Sequence, residues 1–171
     1  MRYDGGMSLG VHFALSSDDL HKVLSINDPE ELAEFISEDL EERYLEENIW
    51  SYQSDKAWDA IHRCLTDGEL LYASGPFPLA YAVLGGRPLD AGDDYTACLV
   101  TAAQVRQASG ALRKVTKAWM RRRYDTLGET GYDGPIGDED FEYTWENFKG
   151  LRAFFARAVP AGRAILFTTD A

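Results

Sequence analysis

The stretch Ser54-Asp55-Lys56-Ala57-Trp58-Asp59-Ala60-Ile61-His62-Arg63-Cys64-Leu65 reads as one amphipathic helix. Ser54 is a capping residue, and Asp55 and Asp59 put acids at the positive end of the helix dipole. With Trp58 at zero and about 100° per residue, Ile61 falls at about −60°, Leu65 at about −20° and Ala57 at about −100°. His62 falls at about +40°, Asp55 at about +60° and Asp59 at about +100°. His62 is therefore predicted at the rim of the apolar face, beside the Trp58 indole and between two carboxylates. Such a rim can line a pocket in which the carboxylates set the imidazole's charge. It can equally be a helix boundary with satisfied hydrogen bonds.

Just upstream, Asn48-Ile49-Trp50-Ser51-Tyr52-Gln53 reads as a connector. Trp50 and Tyr52 can wall the rim or anchor a loop in the core. Before it, Pro29 suits the first position of a helix over residues 29–46. Leu32, Phe35, Ile36, Leu40 and Tyr44 recur there at helical spacing and give one apolar stripe. The other faces are acidic: Glu30 to Glu47 holds nine acids and one base, Arg43. Ser8–Leu15 reads as a first strand. Ser16-Ser17-Asp18-Asp19 starts a short helix to about Ser25. Residues 1–6 read as a disordered leader, with Met7 as the natural start.

Downstream, Leu79–Leu84 is a short apolar run closed by Gly85-Gly86 and reads as a second strand. Tyr95–Val100 reads as a third. Thr101 caps a helix from Ala102 to about Thr116, continued by Trp119 and Arg121-Arg122-Arg123. Residues 126–137 read as loop, Asp138–Val159 as a long amphipathic helix, and Ala164–Thr169 as a final β-branched strand. The pattern predicts an α+β fold over residues 7–171, with a small mixed sheet of about four strands and about five helices in one compact domain.

The net charge of −12 is unevenly spread. Residues 1–60 hold 15 acidic and 4 basic side chains, and residues 61–171 hold 14 acidic and 13 basic. This balance disfavours nucleic acid and anionic membranes, whose phosphates need cations. No apolar run reaches the roughly 18 residues of a spanning helix. Cys64 and Cys98 resemble neither a disulfide framework nor a metal motif, and are expected as buried thiols in a reducing cytoplasm.

Searches for chemistry give little. Tyr72 stands where a G-x-S-x-G elbow around Ser74 needs glycine. Cys64 faces the apolar side, where a thiolate is disfavoured. His12, His21 and His62 are scattered over three elements, so no metal site is predicted. No nucleotide motif occurs, so no cofactor is predicted. Gly85 and Gly86 can bring backbone amides to a ligand or simply make a tight turn. The basic triplet Arg121-Arg122-Arg123 reads as a solvated face or a set of ion-pair partners.

The chain resembles the YfbM-like family, bacterial proteins carrying a domain of unknown function. The resemblance rests on Met7-Ser8-Leu9-Gly10 and on Asp55-Lys56-x-Trp58-x-x-Ile61-His62-x-x-Leu65. It continues through Leu84-Gly85-Gly86, Tyr95–Val105 and the aromatic helix leading to the last strand, covering roughly residues 7–169. The family's usual Tyr-Pro pair in the 126–137 loop is absent, since Tyr132 is followed by Asp133-Gly134-Pro135. The resemblance implies a compact α+β fold and carries over no catalytic residue.

Two functional expectations follow. The first is a non-enzymatic interaction module that docks on a basic protein, and can thereby inhibit it, through Glu34, Glu38, Glu41 and Glu42, steered by charge. The alternative is a small enzyme or small-molecule sensor. Its pocket would be lined by Trp50, Tyr52, Asp55, Trp58, His62, Gly85 and Gly86, with His62 and Asp55 as its reactive pair.

Overall fold

In the computed structural model, which describes residues 8–47 and 49–170, alternate residues of each central strand feed two separate apolar cores. The expected leader, residues 1–6, lies outside the described residues. The strands are β1 (Gly10–Leu15), β2 (Ser51–Asp55), β3 (Arg87–Leu89), β4 (Tyr95–Val100) and β5 (Ala164–Asp170). They form one sheet in the order β2-β1-β5-β4-β3, and every pairing is antiparallel. Five strands thus stand where the sequence predicts about four, and the sheet is not mixed.

Successive strand side chains point to opposite faces. Phe13, Leu15, Ala97, Leu99, Ala164 and Leu166 point to one core. Ala14, Cys98, Val100, Ile165 and Phe167 point to the other. Both faces are covered, which is why β1 and β5 carry apolar residues in succession instead of alternating with polar ones.

The first core is closed by α1 (Ser17–Ser25) and by the rod over residues 29–47. That rod is α2 (Pro29–Glu34), a π-helical stretch (Phe35–Leu40) and α3 (Glu41–Glu47). Its buried residues are Leu32, Ile36, Leu40 and Tyr44, each four apart. In an α-helix every step of four overshoots a full turn by about 40°. The wider turn of the π-helical stretch absorbs that drift and keeps the stripe on the sheet.

The second core lies under α4 (Trp58–Leu65), α5 (Ala102–Leu112), α6 (Lys117–Tyr124) and α7 (Asp138–Ala158). Thr101 and Gln104 close a capping box at the start of α5: Gln104 N donates to Thr101 Oγ1 at 3.2 Å and Thr101 N to Gln104 Oε1 at 2.9 Å. With the 29–47 rod taken as one, six helices surround the sheet. Among the described residues no helix is long and apolar enough to cross a membrane.

Three expected elements differ. The presumed connector before the helix contains β2, an edge strand whose polar sequence hides it. The helix begins at Trp58, because Asp55 takes a left-handed conformation (φ 51°) and Ala57 N then donates to Ser54 O at 2.9 Å. The apolar run Leu79–Leu84 holds a 3-10 turn over Leu79–Ala82 instead of a strand. Pro76 and Pro78 carry no amide hydrogen, their carbonyls take the amides of Ala80 and Tyr81, and Gly85 N closes the turn on Ala80 O at 2.7 Å.

Candidate functional site

The predicted rim of Asp55, Trp58 and His62 is not an open surface. Trp58 and His62 are buried, at 4% and 1% exposure. The Trp58 indole donates to Ser8 O at 2.9 Å and packs on Phe167. His62 Nδ1 accepts from Leu84 N at 3.4 Å. Burial, with the Arg63 charge beside it, lowers the His62 pKa to about 4, so the ring is neutral. Asp55 lies at the end of β2, off the helix, and its carboxylate accepts the Tyr143 hydroxyl at 2.6 Å. The cavity beside His62, lined with Thr66, Asp67, Leu71 and Ser74, has about 20 Å³ of room. That is space for about one water.

The aromatic pair upstream divides. Tyr52 stacks on Phe154 and donates to Asn147 O at 2.9 Å, tying β2 to α7. Trp50 lies under Arg163, whose guanidinium carbon is 4.1 Å from the ring centre. Gly85 and Gly86 are buried. A Cβ on Gly85 would stand 2.4 Å from the Ala80 carbonyl, and one on Gly86 2.6 Å from Leu99 O. Protein backbone therefore occupies the space that a ligand would need there.

His12 and both cysteines are sequestered too, while His21 is exposed on α1. Burial lowers His12 to a pKa of about 4, its Nε2 donates to Ala82 O at 2.7 Å, and Phe154, Phe155 and Phe167 surround it. Burial pushes both Cys64 and Cys98 up to about 12. Arg123 of the basic triplet stacks over Trp119 and donates to Cys64 O and Thr66 O, and Arg121 pairs with Asp125 and Asp138. Among the described residues no group of three or more His, Cys, Asp or Glu is placed to hold a metal.

A cleft of about 520 Å³ opens instead where β1 ends and β5 begins, beside α3. Ser16, Asp19, Arg43, Tyr44, Glu46, Glu47, Trp50 and Arg163 line it. Its floor is a closed network on Asp19. The Asp19 carboxylate accepts from Arg43 (2.7 and 3.2 Å), the Tyr44 hydroxyl (2.5 Å) and Ser16 Oγ (3.0 Å). Burial opposes its charge, but these donors outweigh burial and hold the pKa below the usual carboxylate range. The Arg43 guanidinium is raised chiefly by Asp19 and also pairs with Asp39.

The 29–47 rod carries the acids from the cleft along one outer edge. Glu30, Glu34, Glu38, Glu42 and Glu46 are all exposed and four apart. They are offset by two residues from the buried Leu32, Ile36, Leu40 and Tyr44, and so lie on the opposite face. Glu41 does not join this ladder. It is half-buried beside Tyr95 and Asp170, and burial followed by the Asp170 charge raises its pKa.

The cleft was not legible in the sequence. Its lining comes from α1, α3, the approach to β2 and the turn before β5, which only the sheet order brings together. Trp50 was singled out, but beside the wrong neighbours. Arg163, alone among small residues, carried no periodic signal.

The sequence pattern of a family described as Domain of unknown function (DUF1877) matches residues 7–168. The fold is similar to that of a crystal structure of a protein of unknown function, YfbM from Escherichia coli, with a TM-score of 0.64 and 19% identity. That similarity spans 95% of this chain and 99% of the other. No curated protein matches the chain. The match over nearly the whole domain, with the similarity of fold, shows that the chain belongs to this YfbM-like family of unknown function.

Proposed function

We propose that the protein is a non-catalytic binding module that captures a basic protein partner on the outer edge of the 29–47 rod. The observation that carries this reading is the ladder of Glu30, Glu34, Glu38, Glu42 and Glu46, exposed and without an ion-pair partner among the described residues. Like charges four apart on a helix cost roughly 0.2–0.5 kcal/mol per pair. The rod tolerates four such pairs in a row, where one lysine in the middle would relieve two of them. A ladder of this kind gives a strong, extended negative field, which accelerates encounter with a basic surface.

The burial of His12, His62, Cys64 and Cys98 supports a binding role over a catalytic one, because none of these four is poised to exchange a proton at neutral pH. Two buried free thiols suit a cytoplasmic setting. The test is the triple variant Glu34→Lys/Glu38→Lys/Glu42→Lys, with Glu41 left in place. Its thermal unfolding should match the parent's or lie slightly higher, since the 30–34 and 42–46 pairs become attractive. Association with a basic partner recovered by cross-linking in the native host should slow by about tenfold at low salt, and the gap should narrow as salt rises. An unchanged rate, or an acidic partner, overturns the reading.

A further inference from the structure

We propose that the cleft beside α3 is a binding site for a small basic zwitterion, an α-amino acid with a cationic side chain. Its carboxylate is held by Arg163 and its cations by Glu46 and Glu47. About 520 Å³ falls within the range of small-molecule pockets. The lining divides into groups already committed to one another and groups left open, and the open ones set the ligand's chemistry.

Asp19, Arg43, Tyr44 and Ser16 are committed to one another, so the floor offers shape and rigidity, with no open charge. Arg163 is different. Its Nη1 donates to Ala14 O at 3.0 Å, and no carboxylate pairs with it among the described residues. The Trp50 ring beneath the guanidinium fixes its plane, so a planar fork of donors is held ready for a carboxylate at little entropic cost. Glu46 and Glu47, which also line the cleft, are exposed, and neither is in an ion pair among the described residues.

A simple anion would meet two carboxylates in the lining, and a simple cation would meet Arg163. A molecule with one carboxylate and two cations satisfies all three open charges. Arginine and lysine have that arrangement, with the α-ammonium beside the carboxylate and the second cation a few bonds away. The site is separate from the docking ladder except for Glu46, and it stands or falls independently of that reading.

Calorimetric titration of the full chain with arginine, agmatine and citrulline tests the assignment. Agmatine lacks the carboxylate, and citrulline replaces the guanidinium with a neutral isostere. Arginine should bind with a Kd of about 1 mM or tighter, and each analogue about tenfold or more weakly. Arg163→Gln should bring arginine down to agmatine's level, and Glu46→Gln/Glu47→Gln, which removes the partners of both cations, to citrulline's level or below. The Trp50 indole resonance should shift with arginine in the parent protein. The double variant Glu34→Lys/Glu38→Lys, which leaves Glu42 and Glu46 in place, should slow docking yet bind arginine within about twofold of the parent, which separates failure of this site from failure of the docking face. No heat and no indole shift at about 10 mM arginine overturns the proposal. So does equal affinity for arginine and agmatine in the parent, or acetate binding as tightly as arginine. A peptide ending in arginine that binds about tenfold more tightly than the free amino acid overturns the small-molecule assignment in favour of a chain terminus.

Discussion

Lowering the pH from 7 toward 5 should destabilise this protein through its two buried histidines. His12 and His62 each have a folded pKa of about 4 against an ordinary value of 6.5. Burial is the main cause for both, and the Arg63 charge adds to it at His62. In the unfolded chain both rings titrate at about 6.5, so between about pH 6.5 and 4 the unfolded state binds more protons. Stability is therefore complete above pH 6.5 and drains away as the pH falls. The interval corresponds to roughly 3 kcal/mol for each histidine. At about pH 5 the two together give a slope of roughly 2 kcal/mol per pH unit. His12 has no acid to soften the effect: Nε2 is spent on Ala82 O, Nδ1 has no partner, and three phenylalanine rings close around it. Among the carboxylates, Asp19 is held below its ordinary range and adds no loss in this window, whereas burial raises Asp59 and Glu41, so the folded state takes up protons there on acidification and offsets part of the histidines' slope. Urea unfolding followed by tryptophan fluorescence at several pH values gives the slope directly. His62→Gln and His12→Gln should each lower stability at pH 7 and each remove about half of the slope. A stability that is the same at pH 5 and pH 7, or a slope unchanged in both variants, would refute the reasoning.

Two further outcomes concern packing and polar networks. Asp140 accepts the hydroxyls of Tyr124 at 2.6 Å and Tyr132 at 2.9 Å, so Asp140→Ala strands two part-buried donors and should cost about 2–5 kcal/mol in urea unfolding; a loss under about 1 kcal/mol would contradict the network's role. Gly85→Ala sets a Cβ against the Ala80 carbonyl and should cost several kcal/mol or prevent folding, whereas Gly92, with open space around it and φ 76°, should lose only about 1 kcal/mol as alanine; equal losses at the two would rule out the steric account.

The elements that could be read in advance were those whose periodicity reports a single buried face. The 29–47 rod and α7 carry such patterns, β5 is a continuous run buried on both faces, and the place of all three in the sequence agrees with the structure. The 79–84 run misled because a short apolar stretch is buried whether it is strand or turn, and its prolines hold it as a turn. β2 escaped because Ser51, Gln53, Ser54 and Asp55 are polar; its pairing with β1 is made by backbone groups, which a side-chain pattern does not register. Angle counting on α4 put Trp58 and His62 on neighbouring sides of the helix. It could not foresee that Ser8, Leu84 and the 66–75 loop would cover both. Glu41 shows the same limit, since only the paired strand ends at Tyr95 and Asp170 tell it from Glu42.

The position of β5 has a consequence for how the chain is made. Residues 164–170 form the middle strand, paired on one side with residues 10–15 and on the other with residues 95–100. Until they are synthesised, β1 and β4 have no neighbour in common, and each core lacks its central wall. Closing a loop of some 150 residues costs only a few kcal/mol in entropy, but such distant pairing slows the search. Helices can form as they emerge from the ribosome, yet the sheet has to wait for nearly the whole domain. During that wait the half-built faces of β1 and β4 are open to chaperones or to one another. A ribosome that stalls before Ala164 would therefore release a chain with two exposed strand edges instead of a smaller folded protein.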